Sequence, residues 1–354
     1  MEKLEMNNIF SLFKNKKVLV TGHTGFKGAW LSELLNSIGA NVYGIALDAD
    51  ELSLYNLIDL KTKVKSYIQD IRNLESIKKI VKEINPDIIF HLAAQPIVLE
   101  SYNAPVYTYE TNVIGTINLM EAMRELNNLE CAVMITTDKV YENKEWAWGY
   151  REIDALGGHD PYSASKACSE IAIKSYKRSF LNNINMVSVR AGNVIGGGDF
   201  SKHRIIPDIV RAIEKDEPVE LRNPNSVRPW QHVLDVLYGY LLVCYNLIYN
   251  DNVSDSYNFA PIDEGNIYTV EYITKIFIEN IGRGSYKINV HDTNKKEMNM
   301  LRLDSSLARK ELNWKEKFNT KEAIKHTAIW YKEYLNKNDV NNITKIQIKN
   351  YIGI

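Results

Sequence analysis

The stretch Val18-Leu19-Val20-Thr21-Gly22-His23-Thr24-Gly25-Phe26-Lys27-Gly28 decides how this chain is read. A short apolar strand runs into a turn punctuated by glycines, and a helix with apolar Leu31, Leu34, Leu35 and Ile38 follows. Strand, glycine turn and helix start are the three parts of a dinucleotide-binding βα unit. Gly22 allows the tight turn off the strand, and Gly25 lets backbone N–H groups approach a pyrophosphate. Gly28 lets the helix pack close to the sheet, and the helix N-terminus favours the phosphate charge.

Outward from this unit, strand and helix alternate. A strand is expected over 41–47. The acid that usually ends it, holding the cofactor ribose, is replaced by Ala46, with Asp48 two residues on. No arginine follows to receive a 2′-phosphate, so NAD is favoured over NADP. Residues 67–72 read as a third strand, where Asp70 either reaches an adenine amino group or only closes the strand end. A helix over 74–84 precedes the apolar run 87–92, which reads as a central parallel strand with both faces buried. An amphipathic helix over 107–126, a strand over 131–136, a helix opening near Asp160 and a strand over 186–190 continue the pattern. The fold expected is α/β, a Rossmann-type doubly wound parallel sheet. Past residue 192, Gly196-Gly197-Gly198 and Pro207, Pro218, Pro224, Pro229 and Pro261 interrupt the alternation. The NAD-binding domain is therefore placed at 1–192, with 229–260 returning to it. Residues 193–228 and 261–335 are assigned to a smaller, mixed C-terminal substrate-binding lobe. The asparagine- and lysine-rich residues 336–354 are expected to form a frayed or peripheral tail.

The formal net charge is −1, which points away from a nucleic-acid partner. Three unpaired-looking cysteines argue against a disulfide framework and for a reducing, cytoplasmic setting. The seven histidines show no metal-ligand spacing, so no metal is expected. No apolar run reaches membrane-spanning length, and residues 1–17 lack the apolar core of a signal peptide.

Reactive side chains belong at the carboxyl ends of the strands, where Thr136-Thr137-Asp138-Lys139 stands. Further on, Tyr162 and Lys166 lie four apart and so share one helix face. A tyrosine serves as a base only if its pKa falls well below about 10. An ammonium such as Lys166 and a positively charged nicotinamide ring would each favour the phenolate.

With these residues in view, the chain resembles the extended short-chain dehydrogenase/reductases that act on nucleotide sugars. The resemblance rests on the glycine turn, Asp70-Ile71-Arg72, His91-Leu92-Ala93-Ala94, Thr111-Asn112-Val113-Ile114-Gly115-Thr116, Tyr162-x-x-x-Lys166 and Arg190-Ala191-Gly192-Asn193. Ala94-Gln95-Pro96, Trp148-Gly149-Tyr150-Arg151-Glu152 and Arg228-Pro229-Trp230-Gln231-His232-Val233 make it most similar to the branch that dehydrates CDP-glucose. The resemblance implies that NAD contacts Gly22, His23, Thr24, Gly25, Phe26, Lys27, Gly28, Asp70, Ile71, Leu92, Ala93, Ala94, Gln95, Thr111 and Thr136, besides Tyr162 and Lys166. It implies that Tyr162 and Thr137 serve C4 oxidation, with Asp138 as acid and Lys139 as base or orienting group in the elimination. Asn193 and Arg228 would meet the CDP-sugar diphosphate. Arg204 and Arg222 read equally as nucleotide contacts or surface charges, and Glu297 as a ribose or base contact. His23, where relatives carry a small residue, is expected to crowd or touch the pyrophosphate and weaken NAD binding. Pairing of helices 107–126 and 162–180 into a homodimer is also implied. A C4-epimerase, a dehydratase for another nucleotide sugar, and a non-catalytic NAD-bound scaffold are the alternatives.

Overall fold

Apolar runs covered on both faces become the strands of one parallel sheet. In a computed structural model, which describes residues 2–250, 252–262, 268–289 and 301–353, six of them lie before residue 192. They are β1 (Lys17–Thr21), β2 (Asn41–Ala46), β3 (Lys65–Ile68), β4 (Ile88–His91), β5 (Cys131–Ile135) and β6 (Asn185–Ala191). Strand Ser256–Phe259 completes the sheet in the order Ser256–Phe259, β6, β5, β4, β1, β2, β3, all parallel. The order reverses between β1 and β4, and the crevice at a reversal is where open α/β sheets take ligands. The expected doubly wound sheet is present.

Helices Phe26–Ser37, Leu74–Ile84, Gly115–Met123, Pro161–Ser179 and Val233–Tyr249 flank it. Helix Pro161–Ser179 starts where it does because the Asp160 carboxylate accepts from Ser163 N at 2.9 Å and Pro161 fills the first turn without wasting a donor. This fixes where Tyr162 leaves the helix.

Three elements differ from expectation. β3 ends at Ile68. Asp70 and Arg72 lie in the turn after it, because the Arg72 guanidinium folds back onto the Asp70 carboxylate at 2.7 Å. The helix expected over 107–126 starts at Pro105 and contains a π turn, Glu110–Ile114. The hydroxyls of Thr116 and Ser169 both donate to the Asn112 carbonyl, at 2.6 and 2.7 Å, which replaces the regular helical bond there.

The third difference is the tail. Residues Val340–Ile352 form a helix, with Val340, Ile348, Tyr351 and Ile352 buried, and Trp330 Nε1 donates to Thr344 Oγ1 at 2.8 Å. The apolar stripe at helical spacing outweighs the polar composition. This helix is fastened through Asp235, whose Oδ1 accepts from Tyr351 OH at 2.8 Å and Lys317 N at 2.7 Å, while its Oδ2 is buried without a partner. Burial pushes the Asp235 carboxyl up to about 7 from 3.8. The folded chain thus keeps a proton the unfolded chain gives up, and the stabilisation present below the ordinary value is lost as pH rises toward 7. Asp235→Asn should lack this part of the pH dependence and be more stable than the parent at pH 8 by roughly 2–4 kcal/mol. Urea unfolding of both proteins at pH 5 and pH 8 checks it, and an equal pH response in the two would refute it.

Candidate active site

The glycine turn is built as a cradle. Gly22 has φ +74°, and a Cβ there would meet Ala93 N at 2.8 Å. A Cβ on Gly28 would fall 2.1 Å from the Gly22 carbonyl oxygen. Gly25 caps helix Phe26–Ser37 without any side-chain hydrogen bond, so the first-turn N–H groups face outward and suit an anion. Behind the turn, Thr21 Oγ1 receives Leu92 N and Ala93 N at 3.1 and 3.2 Å and sits 2.7 Å from His91 Nδ1. That cluster locks β4 to β1 directly under the cradle.

Beside it, β5 delivers the reactive groups. Thr137 caps a short 3-10 turn, Asp138–Val140, with Lys139 N on its Oγ1 at 3.4 Å. Thr137 Oγ1 donates to Asp138 Oδ1 at 2.9 Å, and the Thr137 hydroxyl lies close enough to the Tyr162 phenol to favour its ionised form. Asp138 is 3% exposed, and its buried Oδ2 has no partner among the described residues. Burial raises its carboxyl above the usual range, against the pull of Lys139, Thr137, Arg228 and Lys27. The Tyr162 phenol is pushed up to about 12 by burial, countered by Thr137 and Arg204. Lys166, one turn along, lies 3.5 Å from the Ile135 carbonyl, and burial with nearby Lys27 brings it down to about 7. Among the charged groups acting on the phenol, Arg204 favours its ionised form, a contribution not read from the sequence. Arg204 is itself held by Asp199 at 2.8 Å.

The model of the family described as GDP-mannose 4,6 dehydratase matches residues 19–327. The chain belongs to this family. It is 42% identical over 353 residues to the CDP-glucose 4,6-dehydratase of Salmonella typhimurium, covering 97% of this chain and 98% of that one. In fold it is similar to the dTDP-glucose 4,6-dehydratase of Bacillus anthracis solved with NAD (TM-score 0.75, 21% identity, 90% and 97% of the two chains). The UDP-glucose 4-epimerase of Stenotrophomonas maltophila with bound NAD gives TM-score 0.79 at 21% identity, over 91% and 100%.

The structure draws together Thr137, Asp138, Tyr162, Lys166, Lys27, Arg204 and Arg228. Lys139 acts electrostatically on Asp138 from the same turn. Asn193 is half-buried, its carbonyl accepting Gln231 N at 3.1 Å. Arg222 stays exposed just past strand Val219–Leu221, and Glu297 lies outside the described residues.

Several expected cofactor contacts have side chains turned elsewhere. His23 is fully buried: its Nε2 is 2.5 Å from Ser66 Oγ and its ring meets Tyr55 edge-on at 5.4 Å. A Cβ on Gly44 would strike that ring at 2.3 Å, so the imidazole occupies the space under β2 and does not crowd the pyrophosphate position. Thr136 Oγ1 donates to Glu170, and Gln95 Nε2 to Thr108 Oγ1 at 2.9 Å. Asp70 is clasped by Arg72, and Ile71 packs under Gly115. Thr24 Oγ1 donates to the Leu47 carbonyl at 3.0 Å, while buried Thr111 Oγ1 has no partner. Leu92, Ala93, Ala94, Phe26 and Lys27 are half-buried around the cradle.

Sequence reasoning gave no role to Glu170, Arg190 or Asp199. The signals were present: Glu170 continues the Tyr162–Lys166 face by one turn, and Arg190 stands in β6 between buried Val189 and Ala191, where a charge demands a partner.

Proposed function

We propose that this chain converts CDP-glucose to CDP-4-keto-6-deoxyglucose with loss of one water, using NAD. The observation that carries the reading is Asp138: a buried carboxyl, held toward its acid form, beside the Thr137–Tyr162 hydroxyl pair. An epimerase oxidises and re-reduces C4 and needs no acid at C6. A dehydratase needs one.

The Gly22–Gly28 cradle fits a dinucleotide pyrophosphate, with Tyr162 and Lys166 toward its nicotinamide end. NAD bound there supplies reversible hydride removal from C4 and its return at C6. Tyr162 takes the C4 hydroxyl proton, and Thr137 hydrogen-bonds the same oxygen. The resulting ketone acidifies C5, Lys139 removes the C5 proton, and Asp138 protonates the departing C6 hydroxyl so that water leaves. Lys139 returns its proton to C5 as the hydride arrives at C6, and the proton Tyr162 took from the C4 hydroxyl replaces the one Asp138 gave to the water, which closes the balance. Arg228 and Asn193 would bind the diphosphate, with Arg204 between it and Tyr162. We assign NAD to residues 1–192 with 229–260, and the sugar nucleotide to 193–228 with 261–335. Exposed Val106, Tyr109, Ile114 and Ile171 form the apolar face through which two such chains would pair. Among the described residues no helix is long and apolar enough to cross a membrane.

Incubation with CDP-glucose and NAD should give a product lighter by one water, with no net NADH. Asp138→Asn should slow elimination by about 10²-fold or more and C4 oxidation far less. A C4 epimer in place of the dehydrated sugar would overturn the reading.

A further inference from the structure

We infer that the Tyr141 hydroxyl is a positioning group for the elimination half of the reaction, holding the Asp138–Val140 turn in register with the Tyr162–Lys166 face. The inference rests on the dehydratase reading above.

Asp138 has little to fix it by its own bonds: Oδ1 receives Thr137 Oγ1, and Oδ2 receives nothing among the described residues. Its position follows from the backbone of the turn, and so from what holds the turn at each end. Thr137 holds the first end. Tyr141, which follows Val140 directly, holds the second. Its ring is 1% exposed and stacks on Tyr150 with centroids 5.1 Å apart. Its hydroxyl accepts from Arg190 Nη1 at 2.6 Å and donates to Asn258 Oδ1 at 2.8 Å.

Each of these partners is tied to something else. Arg190 grips the Glu170 carboxylate with Nε at 2.8 Å and Nη2 at 2.9 Å, and Glu170 stands one turn past Lys166. Asn258 Nδ2 donates to the Tyr150 and Asp304 carbonyls, at 2.8 and 3.2 Å. A continuous chain of buried polar contacts therefore runs from the catalytic helix through Arg190 to Tyr141. From there it passes by Asn258 to segment 301–304. Tyr162 stands on the helix that the Glu170–Arg190 pair holds directly, and Thr137 on the opposite end of the turn from Tyr141. Asp138 and Lys139 lie inside the turn. A displacement of the turn on the order of 1 Å is enough to cost about 10–100-fold in a step that depends on it.

The test follows wild type and Tyr141→Phe with CDP-glucose and NAD by quenched mass spectrometry, which separates the 4-keto sugar from its dehydrated product. The phenylalanine keeps the stack on Tyr150. Expected are nearly unchanged C4 oxidation and KM, elimination slower by about 10–100-fold, and a build-up of NADH absorbance absent from wild type. Asn258→Ala, which removes the acceptor and leaves Tyr141 in place, should shift the same partition and serves if Tyr141→Phe does not fold. Parallel loss of both steps, or loss of neither, overturns the inference alone. Failure of wild type to dehydrate CDP-glucose overturns the dehydratase reading and this inference with it.

Discussion

Tyr162→Phe should lower kcat on CDP-glucose by about 10²–10⁴-fold while changing KM little. The ring is 8% exposed and stays packed without its hydroxyl, so the loss falls on the proton transfer rather than on folding. Burial pushes this phenol up to about 12, with Asp138 and Asp160 adding to the rise and Thr137 and Arg204 opposing it. Well below that value, each unit of pH raises the ionised fraction tenfold. Wild-type kcat/KM, which reports the free enzyme, should therefore climb between about pH 6 and pH 9, and the variant should lose the slope. A variant that keeps the slope, or one whose KM rises with kcat intact, would remove Tyr162 from this role.

What the sequence discloses and what it hides follow physical lines. The glycine turn, the apolar β4 and β5 and the Tyr162–Lys166 pair are local patterns, so spacing alone places them. His23 is different. Its direction depends on Gly44, which lies on the next strand and lacks the Cβ that would block the ring, and no local pattern encodes that. Arg204 is similar: its approach to Tyr162 depends on Asp199. Asp199 reaches that place because Gly197, where a Cβ would meet Trp330 at 2.0 Å, lets the loop lie flat against the C-terminal helices. The tail is the opposite case: its composition is polar, but the spacing of Val340, Ile348 and Tyr351 puts them on one buried helix face. The direction of His23 and the path of the loop at Gly197 are both set by contacts between residues distant in sequence.

The largest stability effect should come from Glu170→Gln. Glu170 and Arg190 are both fully buried, and their ion pair ties the catalytic helix to β6 behind Tyr162 and Lys166. Burial works against the carboxylate charge. Arg190, Thr136 and Ser188 overcome it and hold the group below the usual carboxylate range. That stabilisation is present above the ordinary carboxyl pKa and is lost only as pH falls through the depressed one. Glutamine leaves the Arg190 charge buried and uncompensated, which costs about 3–5 kcal/mol. Against a typical total of about 5–15 kcal/mol, that is enough to bring the chain near its unfolding threshold. The double variant Glu170→Gln/Arg190→Met removes the stranded charge and should recover much of the loss, because the cost lies in the unpaired ion more than in the missing attraction. Urea unfolding of the parent, the single variants and the double variant closes the cycle. A single variant within about 1 kcal/mol of the parent, or a double variant no better than Glu170→Gln, would show that this pair does not hold the helix in place.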